Sequence, residues 1–454
     1  MKRYSTQVHD LPLASRSDGS SEQSDGKRIR RPSQSIENGV LLTLLHSQRG
    51  MTKAEIGRIA RLPHPTVSTT LNRLKSDGEV FESPAGWSAH PDTFYVIGVS
   101  IDGRAEVREV GGGFDTSCDI LGVLTDRSGN EIHLSPQPLG AGEIRVSTDT
   151  SYEDVRQAVC DVVKQLHERA DQQGRTVAAV GVEMGGHIDA RGRVIYSPNL
   201  NWFDKSLSSD IYRETGLPCI VENDANAFAW WQTFSSETPS RFAIVLLSES
   251  IGAALVERGR VLHGSSGGAG ELGHLPLVGN DALCQCGRVG CLQTVAGYTA
   301  IRHAARQKGI RQADGSPPSV AWLVDEAEIG ATEPREILEE AAHALAHGIT
   351  AIECLLEPDR IFVASMDFER SSYFRQQLDL HVRGHLFPSL NPDNIEYVSM
   401  EPRNGALGAA WAAILADPRR VLAQGEKGKS RSVPRVREQL LAHMPDRGGP
   451  SNSG

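Results

Sequence analysis

At 454 residues and a net charge of −10, the chain is long enough for two or three domains with sizeable cores. Its seven cysteines show no disulfide framework, the N-terminus lacks the apolar core of a signal peptide, and no apolar run approaches the ~20 residues that span a membrane. These features argue against secreted and membrane proteins, and we expect a soluble, cytoplasmic protein without a membrane partner.

Composition divides the chain into four parts, and no internal sequence repeat is visible. Residues 1–33 are predicted to be a disordered polar tail, because they contain few apolar anchors. A small helical domain is expected at 34–90 and a long α/β domain at 94–415. The remaining 416–454 are predicted to be a C-terminal tail, mostly disordered.

The helical domain is predicted from apolar residues at helical spacing. Thr52 and Glu55 form a capping-box pattern before the second helix, and a third helix opens near Pro63. After an Asp77-Gly78 turn, residues 79–82 look like a short β-wing. Helices followed by a wing are typical of modules that place one helix in the DNA major groove.

Charge supports that interpretation, since residues 27–82 hold ten Lys/Arg against five Asp/Glu, a local excess of +5 in an acidic chain. A three-helix dimerisation or linker module would share the same core pattern and remains the alternative. The residues predicted to contact double-stranded operator DNA are polar or basic and lie on or just before the second and third helices: Thr52, His64, Thr66, Ser68, Thr69, Asn72, Arg73 and Lys75.

The region 94–415 alternates β-rich apolar runs with helical stretches, which predicts α/β architecture with largely buried sheets. Strands are expected at 96–101, 177–182, 219–221, 242–247 and 361–364. Helices are expected near 152–170, 225–234, 335–356 and 403–414.

A histidine and three closely spaced cysteines carry the strongest chemical signal in the chain. His274 precedes Cys284-Gln-Cys286-Gly-Arg-Val-Gly-Cys291, a potential Cys3His set. Four such donors complete a tetrahedron around Zn2+ and leave no open position, so the sequence predicts a structural zinc site. A glycine-rich turn with incidental buried cysteines is the alternative.

Several blocks resemble the ROK family (repressors, open reading frames and sugar kinases). They occur in family order: Gly181-Val-Glu-Met-Gly-Gly-His-Ile-Asp189, Ser197-Pro-Asn-Leu-Asn-Trp202, Glu222-Asn-Asp-Ala-Asn-Ala227, Gly270-Glu-Leu-Gly-His274, the cysteine cluster and Asn404-Gly-Ala-Leu-Gly-Ala-Ala410. The resemblance implies a multidomain protein in the repressor branch, with an N-terminal winged helix-turn-helix and an α/β two-lobed, actin-like (sugar kinase/ribonuclease H-like) domain.

The same resemblance implies a sugar in the cleft between the lobes. Sugar hydroxyls both donate and accept hydrogen bonds, which suits carboxylates, amides and an imidazole. The predicted sugar-binding residues are Asn199, Asn223, Asp224, Glu271, His274 and Gln293. In kinases of the family the residue at the position of Asp224 is the catalytic base, and Gln293 stands where they usually carry a glutamate.

Three family loops that hold a nucleotide depart from their usual pattern. The first is followed by an apparent insertion at 104–118, with Gly111–Gly113 interpreted as a flexible linker. The second reads Ser248-Glu-Ser-Ile-Gly252, where Glu249 would put a negative charge near phosphates. The third lacks its paired glycines, since Ala364-Ser365-Met366 follow the strand.

These departures predict a non-enzymatic, sugar-responsive transcriptional regulator of the repressor type, with Asp224 as a vestigial base. It is expected to act as a homodimer or homotetramer on a roughly palindromic operator. The alternative is an ATP-dependent sugar kinase with an appended DNA-binding module.

Overall fold

The computed structural model describes residues 37, 40, 41, 43, 44, 49–60, 62–90, 94–107, 114–132, 143–236, 238–387, 391 and 393–416. The predicted polar tail at 1–33, the glycine run at 111–113 and the C-terminal tail beyond 416 lie outside these residues. Within the described chain, no helix combines the length and apolar character needed to cross a membrane.

The N-terminal module contains helical residues at 37, 40, 41, 43 and 44, then α1 (Lys53–Ile59), α2 (His64–Ser76) and a hairpin of β1 (Val80–Ser83) and β2 (Gly86–Ala89). Val67 and Leu71 on α2 are fully buried, as predicted. The capping box of α1 is also confirmed, because the Thr52 side chain accepts from the Glu55 amide and Glu55 accepts from the Thr52 amide at 2.8 Å. These contacts fix the start of α1, and the backbone of Met51 just before it pairs with Trp87 of β2.

A five-stranded sheet forms the N-terminal lobe of the α/β region. Its strands are β3 (Tyr95–Val107), β4 (Phe114–Asp126), β5 (Glu143–Asp149), β6 (Val177–Met184) and β10 (Cys219–Asn223). Their order is β5-β4-β3-β6-β10, with β6 and β10 parallel to β3 and the other pairs antiparallel. Helices α3 (Tyr152–Asp171) and α4 (Leu207–Thr215) pack beside this sheet.

The C-terminal lobe repeats the same strand order in a second sheet. Its strands are β11 (Arg241–Leu247), β12 (Ile251–Glu257), β13 (Arg260–Val261), β14 (Arg360–Ser365) and β15 (Ile395–Ser399). They lie in the order β13-β12-β11-β14-β15. Its helices are α6 (Gln293–Ala296), α7 (Tyr298–Gln307), α8 (Val320–Glu328), α9 (Thr332–Leu356) and α10 (Ser372–His385). The two sheets therefore share one topology, although the sequence contains no visible internal repeat.

Two helices, α5 (Asp224–Ser235) and α11 (Pro402–Leu415), lie between the sheets. Helix α11 packs on β3 and β6, α5 packs on β11 and β12, and the two helices pack on each other. The approach is close: a Cβ on Gly181 would lie 1.9 Å from the Ala409 carbonyl oxygen, and one on Gly408 would lie 1.9 Å from that of Ala227. Glycine is therefore required where α11 contacts its two neighbours.

The apparent insertion at 104–118 extends a hairpin of the N-terminal sheet. Strands β3 and β4 stay in antiparallel register from the Tyr95–Asp126 pair out to the Val107–Phe114 pair. A small third sheet, β7 (His187–Ile188), β8 (Val194–Ser197) and β9 (Trp202–Lys205), follows β6. It places the turn that carries Asn199 over the cleft side of the N-terminal lobe.

A buried arginine joins the N-terminal module to the N-terminal lobe. Arg127, directly after β4, is 1% exposed. Its guanidinium donates to the Glu79 carbonyl oxygen at 2.9 Å and to the Glu79 carboxylate, and it lies over the Phe94 ring. Glu79 immediately precedes β1, so the hairpin of the module is tied to the end of a central strand of the lobe.

Candidate functional site

The candidate site begins where β10 of the N-terminal sheet turns into α5. Asn223 caps this helix: its Oδ1 accepts from the amides of Ala225 (3.0 Å) and Asn226 (3.3 Å), and its Nδ2 donates to the Gly186 carbonyl oxygen at 3.0 Å. Asn223, which is predicted to bind the sugar, therefore uses its side-chain oxygen and nitrogen in hydrogen bonds with neighbouring backbone groups. Its cap orients the next residue, Asp224.

Asp224 and Asn199 lie on either side of Gly185. A Cβ on Gly185 would lie 3.3 Å from Asp224 Oδ2 and 3.8 Å from Asn199 Nδ2. Burial raises the pKa of the Asp224 carboxyl, although the Ala225 amide and the Asn223 side chain act in the opposite direction. A carboxylate beside an amide can accept a hydrogen bond from a hydroxyl group. Its raised pKa also allows it to take up the proton of that hydroxyl.

The predicted Cys3His residues come together, with their ligand atoms all within 4.8 Å of one another. Cys286 Sγ lies 3.7 Å from Cys291 Sγ, and Cys284 Sγ lies 3.7 Å from His274 Nδ1. A tetrahedral ion with sulfur ligands at about 2.3 Å has sulfur–sulfur edges of roughly 3.8 Å. The four donors therefore fit a closed tetrahedral metal site, with Nδ1 as the histidine ligand.

Glu271 and His274 connect this cluster with the cleft. His274 Nε2 lies 3.7 Å from Glu271 Oε2 and points away from the cysteines. Burial, and then the charge of Arg288, lowers the pKa of His274, which favours a neutral ring. A metal on Nδ1 would fix the ring plane and leave Nε2–H facing the cleft.

Gln293, predicted to bind the sugar, contacts the cysteine cluster in this structure. Its Nε2 donates to Cys284 Sγ at 3.3 Å, and its Oε1 lies close enough to Gly273 to exclude a side chain there. Gln293 therefore supports a metal-cluster sulfur, and a donor amide suits a thiolate better than a carboxylate would.

His187 also lies at this site, although it is not among the predicted sugar-binding residues. Its Nε2 lies 3.0 Å from the Ser266 carbonyl oxygen. Burial raises the pKa of the Glu271 carboxyl and the charge of Asp224 acts in the same direction, whereas His187 acts in the opposite one. The signal was present in the Gly185-Gly-His187 part of the family-like block. Two further contacts bridge the lobes: His263 Nε2 to Glu222 Oε2 at 2.7 Å and the Tyr196 hydroxyl to the Gln285 carbonyl oxygen at 3.3 Å.

Below the cleft, a buried acid occupies the end of β6. Glu183 accepts a hydrogen bond from Ser100, and its carboxylate fills the space beside Gly405 at the start of α11. Burial raises the pKa of Glu183 well above its usual range, and the charges of Asp224 and Asp102 act in the same direction. Its protonated, neutral form is therefore favoured more strongly than that of an exposed glutamate.

Glu249, expected to leave a negative charge near the second loop, is instead paired. Arg302 donates to both of its carboxylate oxygens, with Nη1 2.8 Å from Oε1, and the Thr299 hydroxyl donates at 2.7 Å. Its charge is neutralised by Arg302 of α7, a contact that no local sequence pattern predicts. The loop that carries Glu249 is therefore held against α7 of the same lobe.

The predicted DNA-contacting residues lie on one module, but not all have free side chains. Arg73 pairs with buried Glu37 at 2.7 Å, and Lys75 lies 3.6 Å from Glu82. Thr52 is used in the helix cap, and Thr69 donates to the Pro65 carbonyl oxygen at 2.9 Å. His64 and Asn72 are exposed on α2, and Thr66 and Ser68 are half-buried.

Two lobes of repeated strand order with polar side chains in the cleft define a sugar-kinase-type, actin-like fold, and comparisons agree. A crystallised ROK family transcriptional regulator, a homologue of the E. coli MLC protein, aligns with a TM-score of 0.67 at 19% identity, covering 87% of this chain and 99% of that one. A Streptomyces griseus ROK glucokinase, solved with glucose and AMPPNP, aligns with a TM-score of 0.55 at 23% identity over 70% of this chain and 98% of its own.

The ROK family profile matches residues 140–415, more than half of the chain, and the chain belongs to the ROK family. Among its relatives, the xylose repressor of Bacillus spizizenii is 23% identical over 358 residues, which is 78% of this chain and 88% of the repressor. The glucokinase of Halalkalibacterium halodurans is 25% identical over 250 residues, covering 51% of this chain and 75% of the kinase.

Proposed function

We propose that this chain is a sugar-responsive transcriptional regulator of the repressor type. Residues 34–90 would be its winged helix-turn-helix DNA-binding domain and 94–415 its sugar sensor. The observation that carries the proposal is the buried Arg127–Glu79 contact, which joins a hairpin-bearing helical module to a sugar-kinase-type lobe. Similarity to the Bacillus spizizenii xylose repressor covers 78% of the chain, more than 94–415 alone can supply.

For DNA binding, α2 is the proposed recognition helix and the β1–β2 hairpin the wing. Thr66, Ser68, Thr69 and Asn72 are short enough to let α2 approach base edges. His64 and Lys75 would meet phosphates at either end. The pairing of Arg73 with Glu37 makes it a structural support of α2 in this proposal, unless DNA displaces Glu37.

For sugar binding, the proposed ligands are Asn199, Asp224, Glu271 and His274, with His187 added from the structure. Zn2+ is the proposed ion in the Cys3His cluster, because thiolates and a neutral imidazole in a closed tetrahedron suit it. Its contribution would be structural, holding the loop and the His274 ring. Asn223 and Gln293 would act through their contacts with Asp224 and Cys284.

We propose that the sugar is bound without being phosphorylated. Arg302 binds both carboxylate oxygens of Glu249, so the second loop presents an ion pair where a kinase of the family would present glycine amides to phosphates. The second candidate, a sugar kinase, is favoured by one observation: Asp224 lies beside Asn199 and Gly185, and burial raises the pKa of its carboxyl, as suits a base. Coupled ADP release with a panel of sugars, abolished by Asp224→Asn, would establish that alternative.

The test is a DNA-binding titration of the full chain against genomic operator candidates and bulk DNA, over a range of salt. Specific binding should weaken with salt according to the number of phosphate contacts, and one sugar should change operator affinity. A 100-fold change corresponds to ~2.7 kcal/mol of coupling. Xylose and glucose, named for relatives, belong in the panel. No preference over bulk DNA would overturn the proposal.

A further inference from the structure

A second group of potential metal ligands lies on the C-terminal lobe, away from the cysteine cluster. Helices α9 and α10 each carry two histidines four residues apart, His343 and His347 on one and His381 and His385 on the other. Residues four apart share a helix face, so each pair presents two imidazoles to its neighbour. Helices α9 and α10 pack directly on each other.

The rings form a compact group. Ring centroids are 4.3 Å apart for His347 and His385, 4.6 Å for His343 and His381, and 5.2 Å for His343 and His347. One nitrogen of each of His343, His347 and His385 lies within 4.8 Å of the others. Nitrogens that share one ion at about 2.1 Å lie about 3.0–3.4 Å apart, so each ring would move by roughly one ångström.

A separate observation points to an absent ligand. His381 Nε2 is buried and has no hydrogen-bond partner among the residues that the structure describes. Buried ring nitrogens are ordinarily paired with protein or a ligand. Glu339, one turn before His343, acts electrostatically on His381 and accepts from the Tyr373 hydroxyl at 3.4 Å, so a negative charge lies beside the histidines.

We propose that His343, His347 and His385 bind one divalent first-row transition-metal ion between α9 and α10, with the His381 ring packed against that of His343. An all-imidazole set suits Ni2+, Cu2+ and Zn2+ and lacks the thiolates that distinguish the Cys3His cluster. The two sites are carried on different faces of α9: Gly348 packs against Leu272 and Leu292, beside the Cys3His residues, while His343 and His347 are exposed.

Bound metal would cross-link α9 to α10 and stabilise the folded C-terminal lobe by mass action. It would not touch the cleft, so it is independent of the sugar and DNA proposal. The alternative is a solvated face on which four histidines stack without binding anything.

The test uses the full chain, first loaded with one equivalent of Zn2+, then dialysed against micromolar Ni2+ and analysed for both metals. Wild type should take up one equivalent of Ni2+ and show a higher Tm. The His347→Ala/His385→Ala double variant should lose both effects and retain its zinc, which also reports that it has folded. His303→Ala is the matched control, since it removes an exposed helical histidine of α7.

His343→Ala, a change at an exposed position, gives a second route to the same answer and should also lose the Ni2+ equivalent. The proposal is overturned if wild type takes up no second equivalent, or only at millimolar Ni2+. It is equally overturned if the double variant keeps its Ni2+, or if His303→Ala loses as much as the double variant.

Discussion

The two lobes share one strand order, yet the segments that flank their third strands differ. In the N-terminal sheet, the chain leaves β4 at Arg127, which contacts Glu79 of the N-terminal module before the chain reaches β5. In the C-terminal sheet, β13 is only two residues long and is followed by the long segment that carries Glu271 and the Cys3His cluster. One strand order therefore carries the contact with the N-terminal module in one lobe and the Cys3His cluster in the other.

If the C-terminal lobe depends on its cysteine cluster, the largest effect should come from Cys286→Ser. We expect loss of bound metal and at least ~10-fold weaker sugar binding, because the His274 ring loses its support. Elemental analysis and sugar titration measure both. Cys354→Ser, at an exposed free cysteine, should change neither. Retention of one zinc equivalent by Cys286→Ser would show that the ligand assignment is wrong.

The N-terminal lobe should instead depend on Arg127. Arg127→Met removes one partner of a buried pair and leaves Glu79 without its cation, a loss of about 3–5 kcal/mol in the free energy of unfolding. The zinc content of this variant should stay unchanged, because the Cys3His cluster lies in the other lobe. Arg145→Met, at an exposed pair with Glu143, should cost at most about 1 kcal/mol.

Equal losses from Arg127→Met and Arg145→Met, measured by chemical denaturation, would mean that the contact between module and lobe is incidental. A double variant with Glu79→Gln sharpens this test. If the two residues act as a pair, removing both should cost less than the sum of the single changes.

The packing between the lobes gives an intermediate effect. Gly181→Ala places a methyl group 1.9 Å from the Ala409 carbonyl oxygen, and overpacking of this kind costs about 1–3 kcal/mol. Gly384→Ala in α10, where a Cβ meets nothing within 4 Å, should stabilise by about 0.5–1 kcal/mol. Thermal unfolding of the two variants should therefore shift in opposite directions. A shift in the same direction would argue against a tight α11–sheet contact.

The smallest effect concerns His263, which links β13 to Glu222 of the other lobe. Its hydrogen bond with Glu222 raises the pKa of His263, against the effect of burial. A histidine with a raised folded-state pKa contributes stability that is fully present below its unfolded value of about 6.5 and is lost as pH rises through the folded value. The His263 side chain is 40% exposed, and solvent screening limits the contribution to less than about 1 kcal/mol.

The measurement is the difference in unfolding free energy between wild type and His263→Gln, near pH 6 and again well above it. Wild type should be favoured near pH 6, and the difference should shrink at the higher pH. A difference that does not depend on pH would show that the ring stays neutral in the folded protein.

Local patterns in the sequence were sufficient for the Cys3His cluster and the Thr52–Glu55 cap, because the members of each lie close together in the chain, from His274 to Cys291 and from Thr52 to Glu55. The strand and helix positions of the α/β region also agree with those expected, and periodicity explains why. Contacts between distant residues were not predictable. Nothing in the sequence pairs Arg127 with Glu79 or Arg302 with Glu249, because those partners are set by how elements pack.

Two misses had a readable signal. His187 lies inside the family-like block that runs from Gly181 to Asp189. The pairs His343/His347 and His381/His385 each have i, i+4 spacing, which is visible in the sequence without a structure. What the sequence could not show is that α9 and α10 lie side by side. The assignment of Gln293 to the sugar was similarly limited, since its distance to Cys284 depends on the fold of the loop between them.

Helix α11 has a mechanical consequence. It starts at the floor of the cleft, with Gly405 against Glu183, and ends at Leu415, which packs on the same cluster as Leu41 and Ala89 of the N-terminal module. Fourteen residues make a rod about 21 Å long. Glycine contacts on both sides leave it no room to bend, so a displacement at one tip must emerge at the other as rigid translation or tilt.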